Sequence, residues 1–265
     1  VQLEILHESG IRQLPLLDAE GRVAELATLD DLTDTQHLPV QAVIMAGGFG
    51  KRLKPLTDNI PKPMLEVGGL PILVHIMRWY ASFGHRDFVL CLGYRGQAIR
   101  DYFLDFRART NDFTIRLGRP DAIRYHGSLP EADWSVTLAD TGEKAMTGTR
   151  LFRARRFLAG EKVFALTYGD GVGDVDLRAL LAFHKRHGRA MTVTGVRPPG
   201  RFGELKVGPG GRITEFNEKP QASGGLISGG FFLCTPKVFD YVSDDESLAL
   251  ETAPMRRLAA DGELM

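Results

Sequence analysis

Apolar residues recur along the chain with two different periods. Short, nearly unbroken runs such as Val40 to Ala46, Phe88 to Leu92, Val163 to Tyr168 and Met191 to Val196 have the length and β-branched content of buried strands. Between them the spacing becomes helical. Ile72, Ile76, Trp79, Tyr80 and Phe83 follow Pro71 and stop at Gly84, a Pro start and a Gly stop, and Gln97 to Phe106 and Leu177 to His187 also read as helices. Leu205 to Phe216 is expected to form a hairpin turned at Gly208-Pro209-Gly210-Gly211, with a further strand at Leu226 to Cys234. Strands alternating with helices predict an α/β, Rossmann-like fold: a mixed, mostly parallel sheet with helices on both faces. Ahead of it, Ile11 to Leu32 reads as a strand, a turn at Asp18-Ala19-Glu20-Gly21, a strand from Arg22 to Ala27 and a capped start at Thr28. That piece is too small for its own core. Thr33 to Leu38 reads as a linker, so residues 1–38 and 39–265 are expected to be separate units.

Composition narrows the class. The 265 residues carry 33 Lys plus Arg against 33 Asp plus Glu, with 43% hydrophobic and 25% charged residues. Such a chain buries a core and is neither disordered nor fibrous. Zero net charge supplies no global field for nucleic acid or an anionic membrane, so neither is expected as a partner. Any anion must be held by a few placed residues. Cys91 and Cys234, the only cysteines, form neither a disulfide framework nor a multi-cysteine metal site, which fits a reducing cytoplasm. No apolar run approaches the ~20 residues of a membrane span. Val1 to Gly10 shows no signal-peptide pattern, and because no Met starts the chain an internal cut is expected there.

The candidate chemistry begins where the first long strand runs into Ala46-Gly47-Gly48-Phe49-Gly50-Lys51-Arg52-Leu53. Glycines allow backbone N–H groups to approach a phosphate chain, and the two cations that follow suit an anion. A dinucleotide fingerprint would need Gly at 53, where Leu stands. A Walker A loop would need Gly at 45 and Ser or Thr at 52, where Met and Arg stand. Further on, Lys62 is held between Pro61 and Pro63, which restrict where its ammonium points. Thr167-Tyr168-Gly169-Asp170-Gly171 ends a buried strand, the edge of an open α/β sheet where ligands sit, and Asp170 is the candidate ligand for Mg²⁺. Glu218-Lys219-Pro220 and Ser228-Gly229-Gly230 supply a carboxylate, a cation and small residues farther along.

The glycine turn with Arg52-Leu53, followed by Pro61-Lys62-Pro63 and then Glu218-Lys219-Pro220, resembles the sugar-1-phosphate nucleotidyltransferases. Several longer strings, among them Gly93-Tyr94-Arg95-Gly96, Asp140-Thr141-Gly142-Glu143 with Met146-Thr147-Gly148, and Pro198 to Gly203, resemble the branch of that family that joins CTP to glucose 1-phosphate. The resemblance implies the nucleotide-diphospho-sugar transferase fold, Mg²⁺, a homo-oligomer, and CTP (or another NTP) with a sugar 1-phosphate as substrates. It further implies nucleotide contacts from Ala46, Gly47, Gly48, Gly50, Lys51 and Thr147, catalytic roles for Arg52, Lys62 and Asp170, and sugar-phosphate contacts from Glu218, Lys219, Ser228 and Gly229. Alternatives are the same chemistry with GTP, UTP or dTTP and another sugar 1-phosphate, or a regulatory protein that binds nucleotide without catalysis.

Three departures accompany the likeness. Lys51 stands where the family usually has Thr, Ser228 stands where it commonly has Asn, and the chain ends at Met265 before the segment that supplies a second metal-binding Asp. The transferase domain is therefore expected to be C-terminally truncated. Residues 9–33 resemble the end of a CBS domain, and residues 40–76 resemble transferases that carry such a pair, so a fusion is expected. His184 and His187 are expected on a solvated helix face. Arg150, Arg153, Arg155 and Arg156, interleaved with Phe152 and Phe157, are expected on an exposed amphipathic helix.

Overall fold

The computed structural model describes residues 13–17, 23–28, 40–197, 204–207, 209, 212–217 and 226–265. At its centre lies a six-stranded sheet. Strands β3 (Ala42–Met45), β6 (Asp87–Leu92), β9 (Ser135–Asp140) and β10 (Phe164–Tyr168) run parallel, in the spatial order β10, β3, β6, β9. The register sets Thr167, Ile44, Leu90 and Leu138 side by side. Strand β14 (Ile227–Cys234) pairs antiparallel with β10 on one side and with β11 (Met191–Val196) on the other. The expected mixed, mostly parallel sheet is thus present.

Both faces of the sheet are covered, which is why its strands read as continuous apolar runs. Ala42, Ile44, Phe88 and Leu90 face helices α1 (Ile72–Ser82), α2 (Gly96–Leu104) and α5 (Leu177–His187), where Leu73, Ile76, Tyr80, Ile99 and Leu181 complete one core. Val43, Met45, Val89 and Cys91 face the opposite way. They pack with Leu151 and Ala154 of α4 (Thr147–Ala154) and Leu258 of α6 (Ala253–Ala260). A short helix α3 (Phe106–Thr110) follows α2. Four two-stranded ribbons lie apart from the main sheet: β1 (Gln13–Leu17) with β2 (Val23–Thr28), β4 (Glu66–Val67) with β5 (Leu70–Pro71), β7 (Phe113–Arg116) with β8 (Arg119–Tyr125), and β12 (Glu204–Val207) with β13 (Ile213–Asn217).

Helix ends follow local chemistry. Asp176 accepts the amides of Arg178 and Ala179 at the start of α5, and Gly188, at φ 64°, ends it in the left-handed conformation open to glycine. The helix departs from expectation at His184, which is buried. Leu177, Leu181 and His184 fall on one stripe at helical spacing, so the imidazole is carried inward, where its Nδ1 meets the Thr192 hydroxyl at 2.7 Å. His187 reaches the same hydroxyl at 2.7 Å. Beyond β11, the segment Glu263 to Met265 lies alongside it as a further strip. The Met191 amide donates to Glu263 O at 3.0 Å, the Met265 amide to Met191 O at 3.0 Å and the Val193 amide to Met265 O at 2.8 Å.

Candidate active site

The C-terminal ends of β3 and β10 open into a cleft of about 520 Å³. Its lining brings Gly47, Gly48, Gly50, Lys51, Arg52, Lys62, Thr147 and Asp170 together from three distant parts of the chain. Lys144 joins them, so among the described residues four cationic side chains and one carboxylate line one space, with the buried Arg150 guanidinium beneath the glycine turn. In a chain with no net charge this is a strong local bias toward a polyanion.

The three glycines serve different needs. A Cβ on Gly47 would lie 2.2 Å from a guanidinium nitrogen of Arg150, so this position is glycine because of what lies beneath it. Gly50 adopts φ 61° and turns the chain into the short helical turn Lys51–Leu53, with the Thr57 hydroxyl bonded to its carbonyl at 3.0 Å. Gly48 has open space where a Cβ would stand, with nothing within 4 Å. Of the three, it alone has room for a side chain. Ala46 is fully buried and its amide donates to Cys91 O at 3.0 Å, so it lies beneath the turn rather than on the cleft wall.

Arg150 overturns the expectation of an exposed amphipathic helix. Its residue is 3% exposed, because Arg150, Leu151 and Ala154 share the face of α4 that packs on the sheet. The guanidinium donates to Leu92 O and Thr141 Oγ1 at 2.8 Å, to Gly142 O and Gly47 O at 2.9 Å, and to Glu143 O at 3.2 Å. Among the described residues no carboxylate forms an ion pair with it, and burial lowers its pKa from the usual arginine value. A Cβ on Gly93 would stand 2.4 Å from it, so the two glycines frame the cation from either side. Arg155 and Arg156 do lie outside, stacked on Phe152 and Phe157.

Lys62 opens a short helical turn whose Pro63 and Met64 are buried, and Gly169 allows Pro63 to pack closely against it. This anchorage aims the ammonium across the cleft to the carboxylate of Asp170, with which it forms an ion pair. Both side chains are little more than one-third exposed, at 36% and 38%. Among the described residues no group of three or more His, Cys, Asp or Glu side chains is arranged to hold a metal. A magnesium ion, however, keeps several waters and is held by one or two carboxylates together with substrate phosphates. Asp170, at the mouth of a cationic cleft, fits a metal that arrives with a triphosphate.

Asp170 and Tyr168 also line a smaller adjoining cleft of about 200 Å³ with Ser228, Gly229, Gly230 and Phe231. The two spaces therefore meet at the end of β10. Glu218 and Lys219 lie outside the described residues. Lys144 and the burial of Arg150 were missed in the sequence. The helical stripe of Arg150 with Leu151 and Ala154 was the available signal.

Residues 41–259 match the nucleotidyl transferase family. The chain belongs to that family. Within the nucleotidyl transferases it is similar to the glucose-1-phosphate cytidylyltransferase of Salmonella typhi, at 43% identity over 226 residues that cover 85% of this chain and 86% of that one. The probable glucose-1-phosphate cytidylyltransferase of Bacillus subtilis is 41% identical over 225 residues, 85% of this chain and 86% of its own. Mannose-1-phosphate guanylyltransferase 1 of Arabidopsis thaliana is 28% identical over 223 residues, 81% of this chain and 55% of its own. The solved structure of HddC from Yersinia pseudotuberculosis complexed with GMP-PN shares the fold, with a TM-score of 0.56 and 21% identity across 80% of this chain and 84% of that one. The fold and family expected from the sequence are therefore borne out, while residues 9–33, where the CBS likeness was drawn, precede the matched range.

Proposed function

We propose that the protein transfers a cytidylyl group from CTP to glucose 1-phosphate, giving CDP-glucose and pyrophosphate. The observation that carries the reading is the cleft itself: a glycine turn over a buried arginine, four lining cations and one carboxylate at the C-terminal edge of the sheet, with no nucleophile required of the protein. Cytosine is favoured over guanine by the higher identity to cytidylyltransferases than to the guanylyltransferase.

In the reaction an oxygen of the sugar phosphate attacks the α-phosphorus in line, and the bond to the β-phosphate oxygen breaks as pyrophosphate leaves. Two polyanions must be aligned and the charge growing on the leaving group neutralised. Gly48 gives the triphosphate its closest approach to backbone, with Gly47 and Gly50 shaping the turn and Lys51 beside it. Arg52 steadies the departing pyrophosphate. Lys62 exchanges its contact with Asp170 for phosphate oxygens near the reacting centre, and Thr147 stands on the nucleotide side. Ser228 and Gly229, with Glu218 and Lys219, serve the sugar phosphate. Asp170 would hold Mg²⁺, which when bound withdraws charge from the phosphate oxygens. The reading places the enzyme in the cytoplasm as a homo-oligomer. Side-by-side assays of pyrophosphate release with CTP, GTP, UTP and dTTP and glucose 1-phosphate test it: CTP should be preferred, and equal or greater turnover with another nucleotide overturns the assignment.

A further inference from the structure

Glu251, on the turn ahead of α6, stands behind both of the clefts that meet at β10, bonded to residues that line them. One of its carboxylate oxygens accepts the Thr147 hydroxyl at 2.6 Å, and the other accepts the Tyr168 hydroxyl. Thr147 lines the larger cleft, and Tyr168 lines both. The two donors have little freedom of their own. Thr147 Oγ1 also accepts the Leu250 amide at 2.9 Å, while the Tyr168 ring stands edge-on to Phe232 and fills the space where Gly230, at φ 77°, lacks a Cβ.

Glu251 is exposed, and among the described residues no cation pairs with it, so the two hydroxyls are the protein groups that meet its charge. A carboxylate only accepts, and each hydroxyl has one proton. With both protons given to Glu251, Thr147 and Tyr168 can offer a ligand only oxygen lone pairs. They welcome N–H or O–H donors, as on an exocyclic amine or a sugar hydroxyl, and repel keto and phosphate oxygens. Contact with Glu251 also keeps the Tyr168 phenol protonated, together with burial, which is the larger cause of its raised pKa.

We propose that Glu251 is a positioning residue that ties the two clefts together and fixes the hydroxyls of Thr147 and Tyr168 as acceptors toward the two substrates. This rests on the nucleotidyl transfer reading above. The test uses Glu251→Gln and Glu251→Ala beside Thr147→Val and Tyr168→Phe, with both Michaelis constants measured at saturating co-substrate. Glu251→Gln supplies a donor of its own and frees one hydroxyl proton to turn into a cleft. It should raise about tenfold the KM of the substrate that faces that hydroxyl, while Glu251→Ala, which frees both protons, should raise KM for the nucleotide and for the sugar phosphate together, without a matching fall in melting temperature. Thr147→Val should raise the nucleotide KM alone and Tyr168→Phe chiefly that of the sugar phosphate, and neither should add much in the Glu251→Ala background. Glu251 variants within twofold of wild type in both constants, or full additivity of Thr147→Val and Tyr168→Phe with Glu251→Ala, would overturn the proposal. Calorimetric titration of each of the four nucleoside triphosphates supplies an affinity for the same comparison. Failure of wild type to use CTP thus counts against the function, whereas an unchanged affinity in the Glu251 variants counts against this role.

Discussion

Replacing Arg150 by Met should destabilise the protein by about 1 to 3 kcal/mol, and the figure comes from the acceptors the guanidinium leaves behind. Five oxygens receive its N–H groups, but not all depend on it. Leu92 O also accepts from the Thr141 amide at 3.1 Å and hydroxyl at 2.6 Å, and Gly47 O also accepts from the Tyr94 amide at 3.1 Å. Among the described residues Gly142 O and Glu143 O have no second donor of that kind; Glu143 is exposed, so water can satisfy its carbonyl, whereas the half-buried Gly142 carbonyl is left short, and an orphaned acceptor costs about 1–3 kcal/mol. The desolvation of a buried cation that Met avoids works against the loss and keeps it toward the lower end. Arg150→Lys should recover little, because one ammonium cannot span carbonyls of the glycine turn and of residues 142–143 as a planar fork does. Urea unfolding of wild type, Arg150→Met and Arg150→Lys at pH 7.5 measures the difference. A loss below about 1 kcal/mol in Arg150→Met would refute the reasoning, since it would mean that water or relaxation satisfies the Gly142 carbonyl as well.

Three further outcomes follow from the same geometry. Gly47→Ala should lose about 1–3 kcal/mol of stability by overpacking against Arg150, whereas Gly48→Ala should fold normally and weaken nucleotide use, so denaturation and KM together separate the two positions. Lys62→Ala breaks an exposed ion pair worth no more than about 1 kcal/mol, yet should lower kcat/KM about 100-fold; turnover within fivefold of wild type would remove Lys62 from the chemistry. Burial chiefly, with His187 second, depresses the His184 pKa to about 4, so the folded state stays neutral while the unfolded chain takes up a proton below its ordinary value near 6.5. Stability should therefore be full above pH 6.5, fall by up to ~3 kcal/mol as pH drops to 4, and level off below; the urea midpoint of His184→Gln should show a flatter profile across that range.

Much of the central sheet could be read from the order of residues because burial on both faces leaves a plain mark. Leu177–His187 and Met191–Val196 form the helix and strand expected, and Pro71 and Gly84 bracket the first helix as their chemistry requires. Strand β9 escaped notice: Ser135–Asp140 lies at the sheet's margin with only Ala139 buried, so it lacks the apolar run that betrayed its neighbours. Lys62 and Asp170, which the structure brings together, stood out as candidates because each sits where backbone geometry limits its side chain, beside prolines or at a strand end. Arg150 was not, since an arginine among arginines and phenylalanines suggests solvent, and only the sheet beneath α4 reveals that the side chain goes inward. Glu251 carries no local sign at all. Its meaning comes from two hydroxyls more than eighty residues away in sequence.

The strip Glu263 to Met265 laid along β11 bears on how the protein behaves in crowded solution. A sheet flank with free amides and carbonyls is a template on which another chain can add itself, and repeated addition leads to insoluble aggregates. Here the molecule fills that flank from within. Cleavage after Gly262, or a fusion that pulls those three residues away, should uncover a sticky border while leaving the residues of the large cleft untouched, and the damage would show first as turbidity.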